Sequence, residues 1–83
     1  MRIDVNSMIT LNNKEKYAVL EKINIENINY YYVALVNDNE TDIKDEYKII
    51  KLEEKNGINY VIEVVKQALL TKLLPLFLEK MPN

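Results

Sequence analysis

The sequence predicts an α+β fold: an antiparallel β-meander of four to five strands, in two or three hairpins, with a C-terminal α-helix packed on one face. Apolar and polar residues alternate through residues 1–64, in segments separated by turn-forming pairs. Residues 65–81 instead hold good helix formers, with no turn signal before Pro75. At 83 residues the chain has the length of one domain, so we expect a single unit spanning residues 1–83.

The N-terminal segment predicts the first strand. Its apolar residues share one parity and therefore point to one face: Ile3, Val5, Ile9 and Leu11. The segment stops at Asn12-Asn13, a pair that tolerates the positive φ of a tight hairpin. Whether residues 1–7 belong to the sheet stays open at this stage.

The next segment, KYAVLEKINIE, predicts a half-buried strand. The apolar residues at period two are Tyr17, Val19, Ile23 and Ile25, with Glu21 as the exception on the same face. Glu26-Asn27 follows as another turn candidate.

The segment INYYYVALV places three tyrosines in a row before four aliphatic residues. Tyr30, Tyr32, Ala34 and Val36 take one face, whereas Tyr31, Val33 and Leu35 take the other. Because both faces are apolar, the pattern predicts a central strand covered on both sides. An aromatic surface that stacks nucleic-acid bases is the alternative, but the basic residue and glycines of such a motif are missing.

A polar run from Asn37 to Glu46 predicts an acid-rich loop. Its carboxylates are Asp38, Glu40, Asp42, Asp45 and Glu46. A calcium-binding loop that starts at Asp38 needs Gly at its sixth position and Glu at its twelfth, where this chain has Ile43 and Ile49. The run therefore predicts a solvated connection and no metal site. Beyond it, YKIIKLEE and INYVIEVV predict a hairpin around Asn56-Gly57.

The C-terminal segment predicts a helix over residues 65–81, kinked or broken at Pro75, which cannot donate to the backbone ladder. A helix lying on a small sheet needs one apolar stripe, and Val65, Leu69, Leu73 and Leu76 supply it. A second stripe is left over, made of Leu70, Leu74, Phe77, Leu78 and Met81. Because exposing several large apolar side chains is costly, we expect this second stripe to form an interface with a second copy or a partner; the alternative is a monomer whose core absorbs both stripes.

The composition excludes most catalytic chemistry. The chain has no Cys and no His, which removes disulfides, the usual zinc ligand sets, thiol nucleophiles and Ser-His or Cys-His pairs. With one glycine it has no glycine-rich phosphate loop, and a net charge of −2 is unlike that of a nucleic-acid binder. We therefore expect no enzyme, cofactor or metal, no nucleic-acid partner and no membrane association, in a cytoplasmic protein whose N-terminus lacks a secretory apolar run.

The ordered pattern resembles the YrzB-like family of small uncharacterised bacterial proteins, a domain of unknown function. The pattern consists of ITL, a polar turn, KYAVLEKINIENINYYYVALV, an acidic loop and EYKIIKLEEKNGINYVIEVV, and it covers roughly Met8 to Val65. The family supplies no catalytic residues, so the resemblance implies a small cytoplasmic bacterial protein without an assigned role.

Two functions follow as expectations. The first is a non-enzymatic protein-interaction module that forms a homodimer through its C-terminal helix. The alternative is a phage or prophage-encoded inhibitor that binds a host protein, for which the small size and the bias toward Asn, Ile, Lys and Tyr, as in AT-rich coding, are equally natural.

Overall fold

Five antiparallel strands form one curled sheet in the order β1-β2-β3-β4-β5, and one C-terminal helix packs on it. The computed structural model describes residues 3–11, 14–37, 39 and 42–81. The elements are β1 (Met8–Thr10), β2 (Lys16–Ile25), β3 (Ile28–Val36), β4 (Ile43–Lys55), β5 (Ile58–Glu63) and α1 (Gln67–Lys80). The predicted α+β meander with a C-terminal helix is confirmed.

Two-residue turns close the two long hairpins, as the sequence predicts. Glu26 and Asn27 adopt φ of 52° and 66° between β2 and β3, and Asn56 and Gly57 adopt 54° and 79° between β4 and β5. Two consecutive positive φ angles match the right-handed twist of the flanking strands. The predicted turn at Asn12-Asn13 lies outside the described residues.

The prediction that the apolar residues of β2 all share one face is wrong, because the strand contains a bulge. Val19 is opposite Val33, but Glu21 is opposite Tyr32, so Leu20 is an extra residue. An inserted residue reverses the side-chain parity beyond it. Tyr17 and Val19 therefore point to one face of the sheet, and Ile23 joins the cluster on the other.

β3 lies at the centre of two apolar clusters, which confirms the prediction that both of its faces are covered. Tyr31, Val33 and Leu35 join the cluster on the face without the helix, whereas Tyr30 joins the cluster under the helix. The first cluster also contains Ile3, Tyr17, Val19 and Ile50; the second also contains Ile23, Ile49, Val64, Leu73 and Phe77.

The acid-rich run is shorter than predicted, because β4 already begins at Ile43. Val36 is opposite Ile43 and Ala34 is opposite Tyr47, so residues 44–46 form an irregularity in the ladder. Residues 43–47 are all exposed. Their charged side chains therefore stay hydrated although the backbone is extended.

The segment before β1 packs on the sheet. Asn6 N–H donates to the carbonyl of Val19 at 2.8 Å, and Val19 N–H donates to the carbonyl of Ser7 at 2.9 Å. Ile3 is buried in the cluster on the face without the helix. The part of the N-terminus from Ile3 onward therefore belongs to the folded unit.

The helix passes through Pro75 without ending, so the predicted break is absent, and its bounds are slightly narrower than 65–81. Pro75 has no N–H to donate to the carbonyl of Thr71. Both residues are exposed, so this carbonyl can hydrogen-bond to water instead. Lys80 anchors the C-terminal end, because its Nζ donates to the carbonyl of Lys22 at 2.9 Å. A cation in the last turn also suits the negative end of the helix dipole.

Candidate functional site

An open apolar groove of about 590 Å³ lies between α1 and the sheet. Its floor consists of Tyr32, Tyr47 and Ile49, and Lys48, Glu63 and Val64 line it at the β4-β5 edge. The helix supplies the other wall, made of Gln67, Leu70, Thr71, Leu74 and Pro75. The volume falls in the range of binding sites in proteins.

The floor of the groove is a row of stacked rings. The ring centroid of Tyr32 lies 5.5 Å from that of Tyr47, with an interplanar angle of 6°. On the core side, Tyr32 stacks on Phe77 at 5.6 Å and 27°. Stacked aromatic pairs add on the order of 1 kcal/mol beyond their burial, so they hold Tyr32 in a fixed orientation between core and groove.

Burial, followed by the nearby Tyr47, raises the pKa of Tyr32 above its usual 10.0. The hydroxyl is therefore neutral at physiological pH and serves as a hydrogen-bond donor and acceptor. Its chemistry is suited to binding and does not supply a proton-transfer group near neutral pH.

A charged pair lies at the β4-β5 edge on the face of the sheet without the helix, because Lys48 is opposite Val33 and Glu63 is opposite Ile50. Lys48 Nζ is 3.1 Å from Glu63 Oε1, and this hydrogen bond is the main reason that the pKa of Lys48 is raised. Each charge is satisfied by the other. The two charged side chains are therefore directed away from the apolar floor of the groove.

One side of the helix borders this groove and carries no charge. We call it the helix flank and define it as Gln67, Leu70, Thr71, Leu74, Pro75 and Leu78. The first five residues line the groove, and Leu78 follows Leu74 by one turn. Leu74 and Leu78 are 40% and 54% exposed, and Leu70 is half-buried. The charged residues of α1, which are Lys72, Glu79 and Lys80, all lie outside the flank.

The structure separates the predicted interface residues into two groups. Leu70, Leu74 and Leu78 lie together on the helix flank, but Phe77 is fully buried and is corrected to a core residue. Spacing explains the difference, because Phe77 follows Leu73 by one turn and points with it into the sheet. Met81 is half-buried, and it follows the last residue of the helix.

The first predicted stripe is also divided. Leu73 is buried and Leu69 packs against the same cluster, whereas Val65 precedes the helix and is 74% exposed. Sequence reasoning missed every groove residue that the sheet supplies, including Tyr47. Its position in an ordinary strand pattern gave no signal, because only the place of the helix determines which strand residues lie beside it.

Three of the five carboxylates of the predicted acidic loop, Asp42, Asp45 and Glu46, lie within the described residues. Asp38 and Glu40 lie outside the described residues, and Asp45 and Glu46 belong to β4. Asp42 caps its own segment, since its Oδ1 accepts the N–H of Ile43 at 2.8 Å. Across residues 3–11, 14–37, 39 and 42–81, no group of three or more acidic side chains is placed to hold a metal ion.

Comparisons with known proteins found no match among protein-family models, curated proteins or solved structures. The resemblance to the YrzB-like family stays a prediction. Within the described part of the chain, no helix has both the length and the apolar character needed to cross a bilayer.

Proposed function

We propose that this chain is a non-enzymatic protein-interaction module that associates with a second copy of itself through the helix flank and the adjoining groove. The observation that carries the proposal is the uncharged helix flank, on which Leu74 and Leu78 are exposed beside a groove with an aromatic floor. Interface cores in proteins are likewise depleted of charge and enriched in aromatic residues. We also propose that the protein is cytoplasmic.

The helix flank is compatible with two-fold symmetry. Leu70 and Leu78 each lie four residues, about one helical turn, from Leu74. If two flanks pack antiparallel about an axis at Leu74, Leu70 of one copy meets Leu78 of the other, and the two Leu74 side chains meet each other. Covering the exposed part of each leucine contributes about 1 kcal/mol.

The groove adds area to the contact that the helix flank makes. Tyr47 is 46% exposed beside the helix flank, so its ring is available to side chains of the second copy. Tyrosine is favoured at interfaces because it combines a large apolar surface with a hydroxyl. The flank and Tyr47 together offer a continuous surface on one side of the molecule.

The test is the particle mass in solution, measured by light scattering for the wild type and for two matched variants. Leu74 and Leu76 are 40% and 37% exposed on the same helix, but only Leu74 lies on the helix flank. Leu74→Glu should halve the particle mass, because two buried carboxylates would face each other across the axis. Leu76→Glu should leave the mass unchanged.

A wild-type mass near 9.8 kDa at all concentrations would contradict self-association. In that case the helix flank would be free for a different protein, as expected for an inhibitor that binds a host protein. Capture experiments would then compare the wild type with Leu74→Glu, and Leu76→Glu would serve as the control.

A further inference from the structure

Within the described residues, no strand pairs with the outer edge of β5. β5 (Ile58–Glu63) is the last strand of the sheet, and β4 is the only strand that pairs with it within the described part of the chain. A free edge presents a row of backbone N–H and C=O groups that readily pair with another strand.

One hydrogen bond identifies which backbone groups point to this edge. Val64 N–H donates to the carbonyl of Ile49 at 2.8 Å, so Val64 directs its backbone groups toward β4. Backbone direction alternates along an antiparallel strand. Ile58, Tyr60 and Ile62 therefore also face β4, and Asn59 and Val61 direct their N–H and C=O groups outward.

The edge has little of the usual protection against pairing, since the one charged residue of β5 is Glu63 at its end, which already pairs with Lys48. Residues 56–62 contain no charged side chain and no proline, although exposed edges are normally protected by such residues. Ile58 and Tyr60 are 56% and 44% exposed and share the helix-bearing face with Ile62. A short apolar edge of this kind is suited to receive another strand.

We propose that β5 pairs antiparallel with β5 of a second copy, about a two-fold axis at Tyr60. Side chains keep to their own face only if even-numbered residues oppose even-numbered ones. A two-fold axis at Tyr60 meets this condition. It places Ile58 of each copy opposite Ile62 of the other. Asn59 and Val61 then exchange backbone hydrogen bonds with Val61 and Asn59 of that copy, and no two like charges meet within residues 58–62.

This contact is distinct from the one through the helix flank. The two contacts use different residues, and each is the same patch on both partners. With both intact, each copy binds one neighbour through each contact, and the closed assembly holds four copies, so that Leu74→Glu halves the particle mass. With the helix contact removed by Leu74→Glu, the pair joined through β5 remains.

Cysteine cross-linking tests the register directly, because the chain has no cysteine of its own. Opposed residues of a non-hydrogen-bonded pair have Cα atoms about 4.5 Å apart, within the reach of a disulfide. Tyr60→Cys should therefore give a disulfide-linked dimer when an oxidant is added. Ile58→Cys is the control, since Ile58 is at least as exposed but would lie about 14 Å from its own copy, four residues along the strand.

Efficient cross-linking of Tyr60→Cys and little of Ile58→Cys is the expected result. No cross-linking of Tyr60→Cys, or equal cross-linking of both, would overturn the proposal. The same cross-link should form in Leu74→Glu, so this outcome is independent of the contact through the helix flank.

A proline substitution provides a second measurement. Asn59→Pro removes an outward N–H while leaving the hydrogen bonds between β4 and β5 in place. In the Leu74→Glu protein it should halve the particle mass, and Asn59→Ala, which keeps the N–H, should not. Circular dichroism monitors folding, and if the proline variant unfolds, Tyr60→Lys replaces it by placing two like charges on the axis. An unchanged mass in the folded variant would overturn the proposal.

Discussion

Tyr32 and Tyr47 stack almost parallel, with 5.5 Å between ring centroids and 6° between ring planes. The pair joins β3 to β4, and Phe77 stacks on Tyr32 at 5.6 Å. The same rings therefore hold the helix on the sheet and form the floor of the groove. Stability and the proposed contact surface depend on one aromatic row.

The free energy of unfolding should fall in alkaline solution. The pKa of Tyr32 is raised above 10.0, first by burial and then by Tyr47, and the pKa of Tyr31 is raised by burial and by Asp4. A raised folded pKa contributes stability that is complete below the unfolded value near 10 and is lost as the pH rises through the folded value. Urea unfolding from about pH 9 to 12 should show a smaller fall for Tyr32→Phe than for the wild type. Equal falls would contradict the contribution of Tyr32.

Phe77→Ala should destabilise the fold strongly. Its side chain is fully buried with Leu73 beneath the helix, and such truncations typically cost about 3–5 kcal/mol. Leu76→Ala, at a partly exposed position of the same helix, should cost much less. Urea denaturation of both variants measures the difference. Equal small losses would contradict the burial of Phe77 in the core and favour the interface position that the sequence pattern predicted.

Glu26→Asn should stabilise the protein. Glu26 has φ of 52°, a left-handed conformation that is unfavourable for most side chains and that asparagine tolerates better. The expected gain in the free energy of unfolding is up to about 1 kcal/mol. Thermal unfolding should show a higher midpoint, whereas a lower midpoint would mean that the glutamate makes a compensating contact.

Gly57→Ala should lower the stability of the second hairpin by about 1–2 kcal/mol, because Gly57 adopts φ of 79°. No heavy atom lies within 4 Å of the position that an added Cβ would occupy. The expected loss therefore comes from backbone strain alone. Asn56→Gly is the control, since glycine adopts φ of 54° without steric strain and should cost only the added conformational entropy of the unfolded chain. A Gly57→Ala variant as stable as the wild type would contradict this explanation.

Tyr17→Phe should leave the stability unchanged or raise it by up to about 1 kcal/mol. Tyr17 is fully buried, and its hydroxyl makes no well-formed hydrogen bond with the described residues, although Lys48 lies close enough that Tyr17 helps to raise the pKa of Lys48. Removing a buried, unsatisfied hydroxyl avoids its desolvation cost. A loss above about 1 kcal/mol on urea unfolding would indicate a partner for the hydroxyl.

The sequence by itself determined the order of the elements and the turns that connect the long hairpins. Period-two alternation predicted the strands, and Glu26-Asn27 and Asn56-Gly57 form the predicted turns because these signals depend only on neighbouring residues. The double coverage of β3 was also visible, since both parities of INYYYVALV are apolar.

Only the tertiary structure decided which side chains share a surface. The bulge at Leu20 redirects the second half of β2, and the docking of α1 buries Phe77 while leaving Leu74 and Leu78 beside Tyr47. Neither result follows from local periodicity, because a bulge and a docking angle depend on how distant segments pack. The groove and the helix flank therefore arise only in the folded chain. The sequence contains their residues but does not show that they share a surface.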